Sequence, residues 1–105
     1  MRGAVALALL TMAAVLEVGG DAAMRLGLRG NGRWLFLGAG LLILYGIIVN
    51  QPAWHFNRLM GIYIAVFFVV SQLVAWVLFR EAPTVSVFLG GTFIVMGGAV
   101  LYLTS

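Results

Sequence analysis

The chain contains no cysteine and no lysine, and it has only one histidine and three acidic residues. The lack of cysteine excludes disulfides, thiolate metal sites and cysteine nucleophiles. The remaining polar residues form no metal-ligand cluster, glycine-rich phosphate loop or nucleophile–base pair, so the sequence predicts neither an enzyme nor a cofactor. The net charge of +3 is the balance of six scattered arginines and three acidic residues. It is too small for a nucleic-acid-binding surface, so no nucleic-acid partner is expected.

The chain is rich in apolar residues and poor in charged ones. Hydrophobic residues make up 64% of 105 residues and charged residues 9%, whereas a soluble domain is roughly half apolar and about a quarter charged. Four apolar stretches, each near the ~20 residues that span a bilayer, predict an all-α integral membrane protein. We expect one domain, residues 1–105, in a bacterial inner membrane. Its four short transmembrane helices are expected at about 3–26, 34–50, 58–79 and 84–103.

The N-terminal stretch resembles a signal peptide, but Glu17 interrupts it and no small-x-small cleavage site follows. We therefore expect it to remain as the first span. Four arginines lie in loops one and three, and two, Arg2 and Arg58, lie on the other side. This bias mildly favours loops one and three in the cytoplasm, and it leaves both orientations open.

Glu17 is the strongest functional signal, because a carboxylate inside a spanning helix costs several kcal/mol. Desolvation disfavours the charged form of a carboxyl group, so Glu17 is expected to exchange a proton for a cation. A structural hydrogen bond to a neighbouring helix is the alternative. Asp21 and Arg25 follow at four-residue intervals on the same stripe. Either Asp21 shares a proton with Glu17, or it pairs with Arg25 and leaves Glu17 alone.

Small residues surround this stripe. The face of Glu17 carries residues expected to line a cavity, namely Ala13, Ala14 and Gly20. Another face has Gly19, Ala23 and Gly27 at four-residue spacing, which predicts close helix packing. In the fourth helix, two glycine pairs seven residues apart predict either a dimer interface, which we favour, or packing within the protomer. These are Gly90, Gly91, Gly97 and Gly98.

The third helix supplies the other polar candidates. Tyr63 is expected to hydrogen-bond to Glu17 or to line a pore. Gln72 is expected either to hydrogen-bond to a neighbouring helix or to contact the substrate. His55 and Arg58 precede or begin this helix and are interpreted as residues of the membrane surface.

These residues carry a resemblance to a known family. Four short helices with one carboxylate in the first are similar to the small multidrug resistance transporters of the drug/metabolite transporter superfamily. The family's Glu-Val-x-Gly-x-x-x-Met-basic pattern and Gly-x-x-Arg loop are matched by Glu17-Val18, Gly20, Met24-Arg25 and residues 30–33, with Ala13 one turn before the glutamate. Residues 80–103 resemble the family's last turn and fourth helix.

Helix three departs from the family pattern. It keeps Tyr63, but Val66 stands where the family usually has tryptophan, and residues 67–69 replace glycines. Asp21 stands where the family typically has a hydroxyl residue. The resemblance therefore implies a divergent subgroup.

The resemblance also implies a mechanism. Family members work as antiparallel dimers whose two glutamates share one site for protons or substrate. Here Glu17 of each protomer would bind either, with Tyr63 nearby. The favoured hypothesis is a proton-coupled homodimeric antiporter exporting a cationic or amphipathic small molecule, and a heterodimer stays open. The alternatives are a flippase subunit for a lipid-linked sugar and a non-transporting membrane assembly subunit.

Overall fold

The computed structural model describes residues 3–104, and every regular element in that range is an α-helix. The helices are α1 (Gly3–Arg29), α2 (Arg33–Val49), α3 (Phe56–Phe79) and α4 (Val85–Thr104). The predicted all-α class with four helices is confirmed. Arg2, which entered the orientation argument, lies outside the described residues.

The helix ends differ from the expected ones mainly where arginine stands. α1 continues to Arg29 and α3 begins at Phe56, before Arg58. A long cationic side chain can reach water from a helix that already lies at the membrane surface, so arginine does not end the helix there. Arg29 also lies in the last turn of α1, where the helix dipole favours a positive charge.

Three of the helices are long and apolar enough to cross a bilayer. They are α1 with 27 residues, α3 with 24 and α4 with 20. At ~1.5 Å per residue, α1 is about 40 Å long, which exceeds the ~30 Å hydrocarbon core. The apolar α2 has 17 residues, at the lower limit for a span.

The described chain divides into two compact units, and the expectation of a single domain stays a prediction. The first unit is the helical hairpin of α1 and α2, and the second is the hairpin of α3 and α4. The turn of the first hairpin is short. Its Asn31 side-chain oxygen accepts a hydrogen bond of 3.0 Å from the Arg33 backbone N–H.

Glycines set the spacing within the first hairpin. A Cβ on Gly20 would lie 2.8 Å from Leu42 Cγ and 3.2 Å from the Gly38 carbonyl oxygen. A Cβ on Gly38 would lie 2.9 Å from the Gly20 carbonyl oxygen. The two backbones therefore approach closely because neither residue has a side chain.

The helix packing was expected at Gly19, Ala23 and Gly27, and the structure agrees with this only in part. Gly27 does pack against α2, where an added Cβ would lie 2.7 Å from Leu35 Cγ. Gly19 meets only Leu41 Cδ1 at 3.9 Å. Gly20, which was expected to line a cavity, lies in the contact with α2, so the packed face includes the stripe of Glu17.

Substitution of Gly38 tests this contact. We expect Gly38→Ala to destabilise the protein by ~1–3 kcal/mol, because the new methyl group would overlap a backbone oxygen that cannot rotate away. Gly40→Ala is the matched control, since nothing lies within 4 Å of a Cβ at that position of the same helix. Thermal unfolding in detergent measures both. Equal melting temperatures for the two variants would contradict the proposed contact.

The second hairpin turns at Arg80. This residue adopts a left-handed conformation with φ of 56° and ends α3. The next backbone N–H, that of Glu81, donates a hydrogen bond of 3.0 Å to the Ala75 carbonyl oxygen. The Thr84 hydroxyl oxygen then accepts from the Val87 N–H at 3.3 Å and caps the start of α4. Both helix ends at this turn thus have local hydrogen-bond partners.

The glycine pairs of α4 divide between two faces. Gly91 and Gly98 are buried, and an added Cβ would meet the Phe68 ring and the Ala65 methyl group of α3, respectively. Gly90 and Gly97 are exposed, with nothing within 4 Å. Gly91 and Gly98 therefore pack within the protomer, the alternative to a dimer interface. For Gly90 and Gly97 the dimer interface stays a prediction.

Candidate functional site

Glu17 lies near the midpoint of the 27-residue α1 and is half-buried. Its position follows from helical periodicity, because Gly20 and Met24 continue the same side of the helix at spacings of three and four residues. Both of these residues pack against Gly38 of α2. The carboxyl group is thus on the face of α1 that meets α2.

Asp21 follows Glu17 by one helical turn and is exposed. Side chains four residues apart on a helix are neighbours, so the two carboxyl groups form a pair on one side of α1. One member of the pair is half-buried and the other is open. The choice between a proton shared with Glu17 and a pair with Arg25 stays a prediction.

Tyr45 of α2 completes this site, and the sequence reasoning did not identify it. It is half-buried, and its phenol lies within electrostatic range of both Glu17 and Asp21. The antiparallel register explains the proximity. Gly20 meets Gly38 and Leu42, so a residue one turn earlier on α1 faces a residue further along α2. The available sequence signal was a lone phenol in the middle of an apolar helix.

The predicted cavity residues are tightly enclosed. Ala13 and Ala14 have no exposed surface, and Gly20 is buried against α2. Their small size permits close packing around Glu17 at these three positions. Asp21 is the exposed member of the carboxyl pair.

The other two predicted site residues belong to the second hairpin. Tyr63 is 4% exposed, and its ring lies 6.1 Å from that of Phe67, one turn along α3. Gln72 is half-buried and lines a groove between α3 and α4. Glu17, Asp21 and Tyr45 therefore lie in the first hairpin, and Tyr63 and Gln72 lie in the second.

Arg58 contacts two residues at the open end of the second hairpin, the end opposite the turn at Arg80. Its guanidinium carbon lies 4.3 Å from the centroid of the Trp54 ring, a cation–π contact. Its Nη2 donates a hydrogen bond of 3.4 Å to the Tyr102 carbonyl oxygen in the last turn of α4. A cation there complements the negative end of the helix dipole. Arg58 thus fastens the C-terminal end of α4 to the start of α3.

Similar sequences from other bacteria carry one family name. A UPF0060 membrane protein of Staphylococcus haemolyticus (strain JCSC1435) is 32% identical over 97 residues, which cover 90% of each chain. The chain belongs to the UPF0060 membrane protein family. A UPF0060 membrane protein of Mycobacterium sp. (strain KMS) is 39% identical over 69 residues, 63% of this chain and 61% of the relative. Another from Rhodococcus jostii (strain RHA1) is 37% identical over 70 residues.

Membership places this UPF0060 protein in a bacterial membrane, in agreement with its three helices of spanning length. The relatives' names give a location and no activity. No protein-family model matches the chain. No solved structure matches it either.

Within residues 3–104, no group of three or more His, Asp or Glu side chains lies together. The carboxyl pair of α1 is therefore the main concentration of negative charge from which a function can be argued.

Tyr45→Phe tests the phenol of the UPF0060 site. A cation held at the carboxyl pair would lose the phenol as a polar neighbour, so we expect its affinity to fall about twofold to tenfold. A cation-binding titration measures the effect. Tyr102→Phe, at the end of α4, is the control, and the same loss in that variant would contradict a role for Tyr45.

Proposed function

We propose that this protein is a carrier and not an enzyme: a small proton-coupled antiporter of the small multidrug resistance type, in a divergent subgroup. It exports a cationic or amphipathic small molecule. Protons and substrate compete for Glu17 of both protomers. The observation that carries the proposal is a half-buried carboxyl group near the midpoint of a membrane-spanning helix.

The energetic cost of this position supports a transport role. Placing an ionised carboxylate at the centre of a spanning helix costs several kcal/mol on insertion scales, and such residues commonly mark ion or proton pathways. A purely structural hydrogen bond could be made by a less costly polar side chain. Glu17 therefore has a property, reversible charge, that a carrier uses and a helix contact does not need.

The neighbours of Glu17 supply what proton–cation exchange requires. Asp21 and Tyr45 lie close enough for their charge states to influence one another, and a phenol can donate a hydrogen bond to a carboxylate. When a proton is bound, Glu17 is neutral and attracts no cation. When the proton leaves, the carboxylate is free to bind a cation in its place. Each ligand thereby displaces the other, which couples their movements.

A second protomer is part of the proposal. Large apolar side chains such as Leu28, Phe36 and Val77 are more than three-quarters exposed, and a partner chain could cover such surface. We propose a homodimer, antiparallel by the family resemblance, in which Gly90 and Gly97 lie in the contact. A heterodimer with another small four-helix chain is the competing assembly. Exchange of the two protomer shapes would open the site to each side in turn.

Proteoliposomes provide the test. The purified protein is reconstituted, a panel of organic cations is applied across a pH gradient, and substrate-dependent proton flux is recorded by a fluorescent dye inside the liposomes. We expect at least one cation to drive proton flux above that of protein-free liposomes. If no cation of a broad panel does so in correctly folded protein, the antiport proposal is wrong.

A further inference from the structure

Three arginines lie at the turn of the first hairpin, and their combined charge has no role in the antiport proposal. Arg25 and Arg29 belong to the last two turns of α1, and Arg33 is the first residue of α2. All three are exposed. We call them the arginine surface. It brings together three of the six arginines of the chain within the short range 25–33.

The register of α1 against α2 brings two of these arginines to one level. Gly27 lies against the start of α2, where an added Cβ would be 2.9 Å from the Leu35 backbone nitrogen. In two antiparallel helices, each step forward along one helix is matched by one step back along the other. Two steps beyond Gly27, this register places Arg29 level with Arg33. Arg25 lies one helical turn, about 6 Å, before them.

Hydrogen bonds order the short turn that leads into Arg33. The Asn31 carbonyl oxygen accepts a hydrogen bond of 3.1 Å from the Trp34 backbone N–H. The Gly32 carbonyl oxygen accepts one of 3.1 Å from the Leu35 N–H. With the Asn31 side chain bonded to the Arg33 N–H, the first turn of α2 has a defined position. The spacing of the arginine surface is therefore set by the fold of the hairpin.

The length of α2 places the arginine surface among lipid headgroups. Its 17 residues extend about 25 Å, which is less than the ~30 Å thickness of the hydrocarbon core. Arg33, the first of these residues, therefore lies at the membrane boundary and not in open water. Trp34 follows it and is 41% exposed, and exposed tryptophan is typical of the boundary between membrane and water.

The first hairpin carries an excess of positive charge at this level. No aspartate or glutamate lies between Asp21 and Glu81 in the sequence. Asp21 precedes Arg25 by one helical turn, and a pair between them still leaves the charges of Arg29 and Arg33. The phosphate groups of the lipids lie at the same depth, so the charges of protein and membrane are complementary there.

Depth and charge together select the occupant. Three arginines are too few for a nucleic acid, and a soluble acidic protein would have to reach them through the headgroup layer. An anionic phospholipid is already in that layer. A guanidinium group forms paired hydrogen bonds with phosphate oxygens. Arginines near a membrane surface attract anionic lipids, and the attraction increases with each arginine.

We propose that the arginine surface binds the headgroup phosphate of an anionic phospholipid of the phosphatidylglycerol class. Arg29 and Arg33 bind the phosphate from two helices at one level, and Arg25 approaches it from the side of the acyl chains. The lipid thereby joins the end of α1 to the start of α2. This interaction does not depend on the antiport proposal, because Glu17 lies three turns before Arg29 on α1.

The test uses Trp34, the neighbour of Arg33, as the reporter. Trp54→Phe and Trp76→Phe leave it as the one tryptophan of the full chain. The protein is reconstituted in phosphatidylcholine vesicles that contain increasing fractions of phosphatidylglycerol or phosphatidylcholine with brominated acyl chains, because bromine quenches tryptophan on contact. The fraction that gives half of the maximal quenching measures relative affinity. We expect a preference of about tenfold for phosphatidylglycerol.

Variants of the arginine surface assign this preference. Arg29→Gln combined with Arg33→Gln should reduce it to about twofold or less, and each single variant by about threefold to fivefold. Arg29→Lys combined with Arg33→Lys keeps both charges and should keep most of the preference. Arg80→Gln is the matched control, because it removes one exposed arginine from the turn of the second hairpin. It should leave the preference at Trp34 unchanged.

Four results would overturn the proposal. The first is equal quenching by the two brominated lipids. The second is an equal preference in the double glutamine variant and in Arg80→Gln, which would show only a general attraction of a basic protein to anionic lipid. The third is displacement of the lipid by inorganic phosphate more strongly than by chloride at equal ionic strength, which would show a site for a free anion.

The fourth is a higher preference in Glu81→Gln than in the wild type. That result would show that the Glu81 carboxylate, and not a lipid, occupies the arginine surface. Glu17→Gln should keep the preference of the wild type. Failure of the antiport proposal therefore leaves this test unaffected, and a loss of lipid preference leaves the antiport proposal standing.

Discussion

Glu17→Gln is expected to reduce substrate-driven proton flux in proteoliposomes to the level of protein-free liposomes. The substitution keeps the size and hydrogen-bonding capacity of the side chain and removes its ability to carry a charge or exchange a proton. If Glu17 had only a structural role, glutamine would perform it as well, and more cheaply inside a membrane. The complete loss expected here therefore separates a carrier site from a helix contact.

Glu81→Gln is the matched control for this variant. Glu81 carries the same side chain, is exposed and lies in the turn between α3 and α4. Neutralising it changes the net charge by the same amount as Glu17→Gln, so any general effect of charge on insertion or reconstitution is common to both. We expect the flux of Glu81→Gln to equal that of the wild type. Persistent flux in Glu17→Gln would contradict the proposed site.

Gly98→Ala is expected to destabilise the second hairpin by about 3 kcal/mol, the upper end of the usual range for overpacking. The added methyl group would collide with the Ala65 methyl group of α3. That group is attached directly to the backbone and has no rotamer to move to, so α3 itself must shift. The Gly61 carbonyl oxygen lies 3.8 Å away on the same helix, which leaves little room for the shift.

Gly97, the sequence neighbour of Gly98, provides the control. Gly97→Ala adds the same methyl group where nothing lies within 4 Å, and alanine favours helix by about 0.5–1 kcal/mol over glycine. We expect Gly97→Ala to leave the unfolding midpoint in detergent unchanged or slightly raised, with Gly98→Ala clearly below it. A larger Gly97→Leu substitution should weaken the proposed dimer without unfolding the protomer. If Gly98→Ala and Gly97→Ala unfold alike, the assignment of the two faces is wrong.

The membrane class and the four helices were predictable, because they depend on local properties of the chain. Apolar length decides whether a segment can span a bilayer, and Pro52 and the residues around Arg80 mark turns without knowledge of any partner helix. The position of Asp21 one helical turn after Glu17 was predictable for the same reason. Their relation follows from helical periodicity alone.

Features that depend on how one helix faces another were not predictable in this way. The two glycine pairs of α4 have identical seven-residue spacing, and only the position of α3 decides that Gly91 and Gly98 are the buried members. Tyr45 was missed because its relation to Glu17 depends on the register of α2 against α1. The groove at Gln72 likewise requires two helices to exist.

The most direct test of the central claim is a count of protons released when the cation binds. Detergent-solubilised protein is titrated with a transported cation in weakly buffered solution, and the pH change is recorded alongside the heat of binding. Competition for Glu17 predicts that binding releases protons, that affinity rises with pH, and that Glu17→Gln abolishes the release. Cation binding without proton release, or equal release from the wild type and Glu17→Gln, would contradict it.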